Sequence, residues 1–337
     1  MEPNQNKIAS KQKGEPLTNV ESRVTPFSKG KRKAKPWVGS GSWNATSCAG
    51  RPLNVAATLT SGQSFRWQRD ADGIWWGVIG RSVVALQQED GRTEGTLFWQ
   101  TFPEPDRWQV ITDYFRLDVD LDVLYAAWSA AEPRIAPSLA AYRGLRILRQ
   151  PPEECFFAFQ CAACNTIVKI ERSVRALAAR YGEPIETGLP SPPFRFYAFP
   201  TVEALAHADE AALRADLWGY RAPRVIALAR HLLTLPPGWL EALRDVPYAE
   251  ARAALSSLFG IGAKLADCIC LFALDKDAAV PVDTHVRQIA CRMFLPGLAG
   301  KTLTPRLYDI IADAYRTRFG PYAGWAQQYL FLEKLSG

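Results

Sequence analysis

The sequence predicts an α+β protein in which an antiparallel β-sheet domain precedes a mostly α-helical domain that contains a helix–hairpin–helix. From about Cys48, short runs rich in Val, Thr, Trp and Phe alternate with Gly-containing turns, which is typical of strands. From Pro152 onward, nearly every segment has apolar residues at helical spacing. We therefore expect a disordered basic tail over 1–47, an N-terminal α/β domain over 48–143 and a helical domain over 144–337 with the hairpin at about 259–263.

The tail is polar and strongly basic. Between Met1 and Pro36 there are nine Lys or Arg residues against three Glu, a net charge of +6 that equals the net charge of the whole chain. Such a composition predicts disorder. The tail is either a localisation signal or an arm that holds DNA by releasing counterions, or it is a solvated extension without a partner.

Composition excludes several classes of protein. The 337 residues are 48% hydrophobic and 22% charged, which is typical of globular domains, and no apolar run reaches the length of a membrane span. The first residues contain no apolar stretch of a secretory signal, so we expect an intracellular protein. Seven cysteines, an odd number, do not suggest disulfides. Cys161 and Cys164 form a lone CxxC without the further ligands of a zinc or iron–sulfur site, so we expect no metal.

Four β-like runs follow the tail, and we interpret them as an antiparallel meander. They are LNVAATLTSGQSFRWQ, GIWWGVIG, RSVVALQQ and EGTLFWQTF. Asp72-Gly73 and Asp90-Gly91 fall between runs, and Asp-Gly pairs favour the backbone angles of hairpin turns.

Helices are predicted over most of the second half of the chain. The stretch from Glu153 to Tyr181 has helical spacing. The other predicted helices are Leu205–Ala215, Ala222–Leu233, Ala249–Phe259, Lys264–Leu274 and Pro305–Phe319. Stretches that carry Pro and Gly, such as GLPSPPFRF and LPPGW, separate them.

The segment ARAALSSLFGIGAKLADCICLFAL is typical of two helices joined by a short hairpin. Gly260 and Gly262 allow backbone angles that a residue with a Cβ resists, and they leave the turn without bulk. The N-terminus of the second helix would then hold a DNA phosphate. The alternative is a plain helical hairpin that ends in a glycine cap and binds nothing.

Lys264 and Asp283 have placements that an ordinary core helix does not require. Lys264 falls in the first turn of the second helix, where the helix dipole disfavours a cation and so favours the neutral, nucleophilic amine. Asp283, in AVPVDTHVRQIACRMF, is predicted to be the N-cap of the next helix, a position that keeps a carboxylate ionised. It could stabilise a cationic sugar and orient an attacking amine, although a capping role alone would also explain it.

Six motifs, in order and spacing, resemble those of eukaryotic-type 8-oxoguanine DNA glycosylase/AP lyases, a family of the helix–hairpin–helix DNA glycosylase superfamily. They are SGQSFRW, LRQPPEECFFAF, GYRAPRV, KLADCICLFALDK, VPVDTHV and GPYAGWAQQYLF, and the likeness covers roughly Cys48 to the C-terminus. The resemblance implies a TBP-like N-terminal domain and an enzyme that rotates an oxidised guanine out of duplex DNA before excising it. It also implies a monomer that needs no cofactor, acts on double-stranded DNA and works in a nucleus or a bacterial nucleoid.

The resemblance assigns the chemistry to three residues. Lys264 matches the nucleophile that attacks the sugar C1′, displaces the base and forms a Schiff base, from which strand cleavage can follow. Asp283 matches the carboxylate that assists it. His285 matches a phosphate contact.

The resemblance also implies a lesion pocket. Gly62 matches the glycine whose carbonyl accepts a hydrogen bond from N7–H of the lesion, whereas undamaged guanine presents a bare acceptor there. Gln327 matches the residue that reads the Watson–Crick edge of the base. Phe331 and Cys268 match the two faces between which the base is held, although both residue types are more often simply part of a core.

The residues that would face the opposite strand depart from the family pattern. Tyr220 and Arg221 match the wedge that fills the vacated stack and a donor to the estranged cytosine. The family usually has three consecutive asparagines followed three residues later by an arginine. Here the chain has Cys164, Asn165 and Thr166, then Lys169. A thiol lacks the paired donor and acceptor of an amide, and lysine lacks the planar fork of arginine, so we expect a weaker preference for cytosine opposite the lesion.

Two alternatives remain. A related glycosylase that acts on another damaged base would usually lack the lysine or carry an iron–sulfur cluster. A helix–hairpin–helix module that binds DNA without chemistry would explain the glycine turn but not Lys264, Asp283, Gly62 and Gln327 together.

Overall fold

The computed structural model describes residues 43–89, 92–161 and 165–336. The tail over 1–42, the predicted turn at Asp90-Gly91 and Cys164 lie outside the described residues. Within this part of the chain, none of the helices is both long and apolar enough to span a membrane.

An antiparallel sheet forms the N-terminal part, as predicted. Its five strands have the order β1-β5-β4-β3-β2. They are β1 (Asn44–Ser47), β2 (Gln68–Arg69), β3 (Trp75–Ile79), β4 (Ser82–Gln88) and β5 (Thr96–Phe102). Gly77 on β3 lies under the Trp67 ring, and a Cβ there would approach Trp67 Cδ2 to 2.3 Å, so only glycine fits.

The folded part begins earlier than the predicted end of the tail at residue 47. Strand β1 pairs with β5 from Asn44 opposite Trp99 to Ser47 opposite Thr96. The Asn44 side chain also donates a hydrogen bond to Asp106 over 2.7 Å. The sequence NATS has no apolar alternation, so pairing with β5 rather than local pattern makes this strand.

The first β-like run is partly helical, and the prediction of a strand there is wrong. Helix α1 (Val55–Thr60) begins after Asn54, whose side chain accepts a hydrogen bond from the Ala57 amide over 2.9 Å. Its buried residues, Val55, Thr58 and Leu59, recur at helical spacing. The β-branched composition concealed this spacing, and the Asn54 cap decided the structure.

Helices α2 (Trp108–Phe115), α3 (Leu121–Ala131) and α4 (Ala136–Ala141) follow the sheet. Ile111 and Phe115 of α2 pack on the sheet with Val84, Leu86 and Leu97. The buried residues of α3 and α4 belong instead to the main helical core. The helical layer thus recruits segments that precede residue 144, the predicted start of the helical domain.

The rest of the described chain is helical, which confirms the predicted fold class. Its helices are α5 (Pro152–Gln160), α6 (Ile167–Tyr181), α7 (Val202–Ala206), α8 (Glu210–Leu213), α9 (Ala222–Leu232), α10 (Trp239–Ala242), α11 (Tyr248–Ser256), α12 (Ala263–Ala273), α13 (Thr284–Met293), α14 (Pro305–Phe319) and α15 (Ala323–Ser336). Helix α5 lies in the centre, where Phe159 stacks on Phe272 of α12 with ring centres 5.6 Å apart.

Two predicted helices are interrupted. The predicted helix over Leu205–Ala215 is divided into α7 and α8, because the Asp209 side chain accepts from the Ala211 amide over 3.0 Å and starts a new helix. The helical stretch from Glu153 to Tyr181 is divided into α5 and α6, and the Thr166 side chain caps α6. In both places a short polar residue inside an apolar pattern starts a helix rather than continuing one.

Buried ion pairs tie the sheet to the helical part. Arg66 donates to Glu154 at the start of α5 over 2.8 Å, with both side chains almost fully buried. Arg116, at the end of α2, forms a two-pronged pair with Asp277. Asp277 also accepts from Trp325 of α15 over 2.8 Å. These contacts fix the position of α15 against the sheet, which brings the two parts of the site together.

Candidate active site

A cleft lies where the loop after α1, the end of α5, helix α12, the segment before α13 and helix α15 converge. Its lining residues are Ser61, Gly62, Phe159, Lys264, Cys268, Phe272, Pro281, Asp283, Val286, Gln327, Gln328 and Phe331. All six residues predicted to be catalytic or to bind the base are among them. Residues more than 260 positions apart in the sequence therefore meet in one place.

Lys264 lies in the first turn of α12 and is half-buried. Its ammonium nitrogen is 5.6 Å from the centre of the Phe159 ring, within cation–π distance. Cys268, one turn further along α12, is 2% exposed. Burial raises the pKa of the Cys268 thiol to about 11, although the neighbouring Lys264 amine opposes this shift. Cys268 is therefore a neutral thiol near pH 7.

Asp283 is the N-cap of α13, as predicted. One of its carboxylate oxygens accepts a hydrogen bond from the Val286 amide over 2.8 Å. A carboxylate at a helix N-terminus is stabilised by the amides and by the helix dipole. Because Asp283 also lines the cleft, a negative charge and the Lys264 amine face the same space.

The loop around Gly62 is held by buried amide side chains. Gly62 has a φ of +78°, in the left-handed region that favours glycine. Gln328 of α15 donates to the Ser61 carbonyl over 2.8 Å, and Gln150 donates to the Gln63 carbonyl over 2.6 Å. The Gln63 amide nitrogen, with two hydrogens to donate, lies within 3.1 Å of three acceptor oxygens. The Gly62 backbone is thereby fixed relative to α15.

Gln327 differs from its neighbour Gln328 in one respect. Both side chains are almost fully buried, at 2% and 3% exposure. The amide oxygen of Gln327 has no hydrogen-bond partner among the described residues, whereas the amide nitrogen of Gln328 donates to Ser61. Since buried polar atoms are nearly always paired, this acceptor in the cleft is available for a ligand donor.

The helix–hairpin–helix forms from α11 and α12. Gly260 has a φ of +78°, in the left-handed region that favours glycine, and a Cβ there would lie 2.8 Å from Arg224 Cδ, so the Arg224 side chain would have to move. Gly262 is the N-cap of α12 with an ordinary φ of −86°. The expectation that both glycines adopt backbone angles that a Cβ resists is wrong for Gly262, because its backbone is extended and any residue can adopt these angles. A Cβ at Gly262 would meet no described atom within 4 Å, so the start of α12 is open.

The other predicted contact residues lie outside the cleft lining. Tyr220 is 62% exposed, and the buried Arg221 guanidinium lies 4.4 Å from its ring centre. Asn165 is half-buried and Lys169 is exposed, both near the start of α6. His285 is exposed on the first turn of α13, with its ring 6.0 Å from that of Phe331.

Helix α6 joins these outer residues to the cleft. A Cβ on Gly62 would lie 3.4 Å from Ile167 Cδ1, so the start of α6 borders the cleft. The segment that contains Tyr220 packs on the same helix, because the Trp218 indole donates to the Ser173 carbonyl over 3.1 Å.

Sequence reasoning missed several residues of this surface. Phe159 and Gln328 stand inside motifs singled out above, but only their contacts reveal that they line the cleft. Phe259 in the hairpin is 79% exposed, and Leu217 is 53% exposed with a φ of +70°. Exposed apolar side chains are typical of surfaces that meet a partner, and no sequence pattern marked these two. Within the described ranges, no group of three His, Cys, Asp or Glu side chains could hold a metal ion.

Comparison with known proteins agrees with this arrangement. Residues 47–156 match the N-terminal domain of 8-oxoguanine DNA glycosylase, and residues 161–305 match the HhH-GPD superfamily of base excision DNA repair proteins. The chain is 35% identical to the N-glycosylase/DNA lyase OGG1 of Arabidopsis thaliana, over 93% of this chain and 85% of that protein.

Solved structures show the same fold. An Ogg1 structure with a low-affinity DNA ligand has a TM-score of 0.75 and 27% identity, covering 88% of this chain and 99% of the other. The Clostridium acetobutylicum 8-oxoguanine glycosylase/lyase, solved with double-stranded DNA that contains cytosine opposite 8-oxoguanine, has a TM-score of 0.72 and 27% identity, covering 83% and 91%. From its sequence, its fold and the residues of its cleft, this chain belongs to the 8-oxoguanine DNA glycosylase family, the N-glycosylase/DNA lyases of base excision repair that carry the HhH-GPD domain.

Proposed function

We propose that this enzyme excises 8-oxoguanine from duplex DNA with Lys264 as the nucleophile and Asp283 as the assisting carboxylate. The convergence of the six predicted residues on one cleft is the observation that carries the proposal. It is supported by the 8-oxoguanine glycosylase/lyase of Clostridium acetobutylicum, which was solved with bound duplex DNA that contains cytosine opposite 8-oxoguanine. The lesion must leave the base stack to reach this cleft, because the glycosidic bond is inaccessible inside the helix.

The neutral Lys264 amine attacks C1′ of the sugar, and the glycosidic bond breaks with its electrons passing to the departing base. As that bond breaks, positive charge develops on the sugar, and the Asp283 carboxylate stabilises it from the same cleft. The attacking nitrogen passes one proton to the departing base and then forms a C=N bond to C1′ as the C1′–O4′ bond breaks and O4′ takes up a proton. Loss of a C2′ proton from this Schiff base eliminates the 3′ phosphate and cleaves the strand.

Recognition of the lesion rests on fixed polar groups. The Gly62 carbonyl accepts N7–H of 8-oxoguanine, and guanine is disfavoured because its N7 is itself an acceptor. Leaving such a buried acceptor unpaired costs about 1–3 kcal/mol. The free oxygen of Gln327 accepts an N–H from the Watson–Crick edge, while Phe331 and Cys268 hold the two faces of the base.

Contacts outside the cleft hold the DNA in place. The open start of α12 after Gly262 binds a phosphate through its free amides, and His285 contacts a second phosphate. Tyr220 fills the gap that the flipped base leaves in the stack, and Arg221 donates to the estranged cytosine. The enzyme acts as an intracellular monomer on genomic DNA, in a nucleus or a nucleoid.

The experiment is borohydride trapping on a duplex with one 8-oxoguanine, with Lys264→Gln as the test variant. We expect a covalent adduct that requires both the lesion and Lys264. Lys301→Gln, which removes an exposed lysine outside the cleft, is the matched control and should trap normally. Base release without an adduct in the Gln variant would indicate a water-based glycosylase. Neither adduct nor release by the native enzyme would indicate a DNA-binding module.

The opposite-base preference is tested on the same duplex with cytosine or adenine opposite the lesion. Because Cys164 and Lys169 depart from the family pattern, we expect the two excision rates to be comparable. Lys169→Arg supplies the planar guanidinium and should raise the excision rate opposite cytosine relative to the rate opposite adenine. A large bias toward cytosine in the native enzyme would contradict this part of the proposal.

A further inference from the structure

A fully buried carboxylate lies behind the cleft, one turn along α12 from Lys264. Asp267 is 0% exposed and does not line the cleft. Its two oxygens accept hydrogen bonds from the Tyr248 hydroxyl of α11 over 2.7 Å and from the Tyr308 hydroxyl of α14 over 2.6 Å. Arg252 of α11 forms an ion pair with the same carboxylate over 3.2 Å. These contacts therefore join helices α11, α12 and α14 at the Asp267 carboxylate.

Tyr308 makes a second contact that Tyr248 does not. Its hydroxyl accepts a hydrogen bond from the Val282 amide over 3.2 Å. Val282 directly precedes Asp283 and is 1% exposed, so its amide needs a protein partner. Burial and the nearby Asp267 carboxylate raise the pKa of Tyr308. Its hydroxyl therefore stays protonated and donates a hydrogen bond to Asp267.

These contacts form a continuous link between the two proposed catalytic residues. The link runs from the Lys264 helix through Asp267 and the Tyr308 hydroxyl to the backbone of Val282 and so to Asp283. The segment from Val280 to Asp283 has no helix or strand of its own to fix it. Its place relative to α12 therefore depends on side-chain contacts, and this hydrogen bond lies one residue from the carboxylate.

We propose that Asp267 and Tyr308 are positioning residues that hold Asp283 in register with Lys264 for base excision. This rests on the proposed function, because the register matters only if both residues act on the sugar. A displacement of about 1 Å at a reacting group can lower a rate by about 100-fold. Loss of these hydrogen bonds should therefore slow base excision without lowering the affinity for DNA, since neither Asp267 nor Tyr308 lies on the exposed surface.

The test compares Tyr308→Phe with Tyr248→Phe in the full-length enzyme. Each variant removes one hydroxyl from the same carboxylate, but only Tyr308→Phe also leaves the Val282 amide without its acceptor. We expect Tyr308→Phe to lower the single-turnover excision rate between about tenfold and 100-fold. Its Kd for a duplex with a tetrahydrofuran abasic analogue should stay within about twofold of native, because the contacts with DNA are intact. Tyr248→Phe should excise at close to the native rate.

Thermal unfolding of both variants separates positioning from stability. Equal loss of rate in the two variants, in proportion to their loss of Tm, would overturn the proposal, as would a native rate for Tyr308→Phe. Asp267→Asn, which keeps the shape of the side chain, supplies the same measurement if Tyr308→Phe does not fold, and we expect it to be slow. A native enzyme without excision activity would instead refute the proposed function, which Lys264→Gln tests separately.

Discussion

Replacement of Gln327 by methionine should change stability and activity in opposite directions. The Gln327 oxygen is buried without a partner among the described residues, and such a group costs about 1–3 kcal/mol of the free energy of folding. Methionine has a similar length and no strong acceptor, so Gln327→Met should recover this cost. For a folded part of roughly 290 residues, the unfolding entropy is about 0.6 kcal/mol/K. The expected rise in Tm is therefore about 2–5 °C.

Excision should fall in the same variant, because in the proposed function this oxygen accepts a hydrogen bond from the base. Losing one hydrogen bond to the lesion corresponds to about 1–3 kcal/mol, or a decrease of roughly fivefold to 150-fold in the single-turnover rate at subsaturating enzyme. Calorimetry and excision of 8-oxoguanine measure the two effects on the same preparations.

Gln328→Met is the matched control, because this neighbour is equally buried but donates to Ser61 over 2.8 Å. It should lower Tm, since the Ser61 carbonyl loses its donor. The reasoning would be refuted if Gln327→Met lowered Tm as Gln328→Met does, or if it excised the lesion at the native rate.

Three further substitutions test the hairpin and a half-buried pair of carboxyl groups. Gly260→Ala should lower the free energy of unfolding by about 1–2 kcal/mol, because its φ is +78° and the new Cβ would contact the Arg224 side chain. Gly262→Ala should lower it by less than about 1 kcal/mol, yet it should weaken DNA binding at the open start of α12. Urea unfolding and a duplex-binding titration measure these, and equal stability losses would argue against the assignment. Burial, together with the neighbouring Glu241, raises the pKa of Glu153 to about 7, so the native fold favours its protonated form. The stability that comes from the protonated Glu153 carboxyl is fully present below about pH 4.5 and is lost as the pH rises through 7. Glu153→Gln should therefore raise Tm more at pH 8 than at pH 5. A change in Tm that does not depend on pH would contradict this.

Much of the fold could be predicted because its signals are local. Helix α14 begins and ends at the predicted residues, where Thr304 caps it and Gly320 ends it. The position of Asp283 before a helical pattern predicts a cap, and its hydrogen bond from the Val286 amide confirms it. Such features depend on residues three or four positions apart, which the sequence displays directly.

The errors arose where distant contacts or a single polar residue overrode the pattern. Strand β1 exists because it pairs with β5, some fifty residues away. Helix α1 follows from the Asn54 cap despite its β-branched composition. The split between α7 and α8 follows from the Asp209 cap. Composition alone cannot weigh these contacts against local propensity.

For the site, the sequence by itself determined which residue types are present and their spacing: a lysine in the first turn of a helix, a capping aspartate and a glycine turn. Only the tertiary structure decided that Gly62, Lys264 and Gln327 share one cleft. It likewise decided that the Gln327 amide oxygen has no partner among the described residues, while the Gln328 amide nitrogen donates to the Ser61 carbonyl. It also decided that Tyr308 joins Asp267 to Val282. The physical reason is that burial and hydrogen bonding are set by neighbours in space, and these neighbours come from helices and loops that the chain brings together only when it folds.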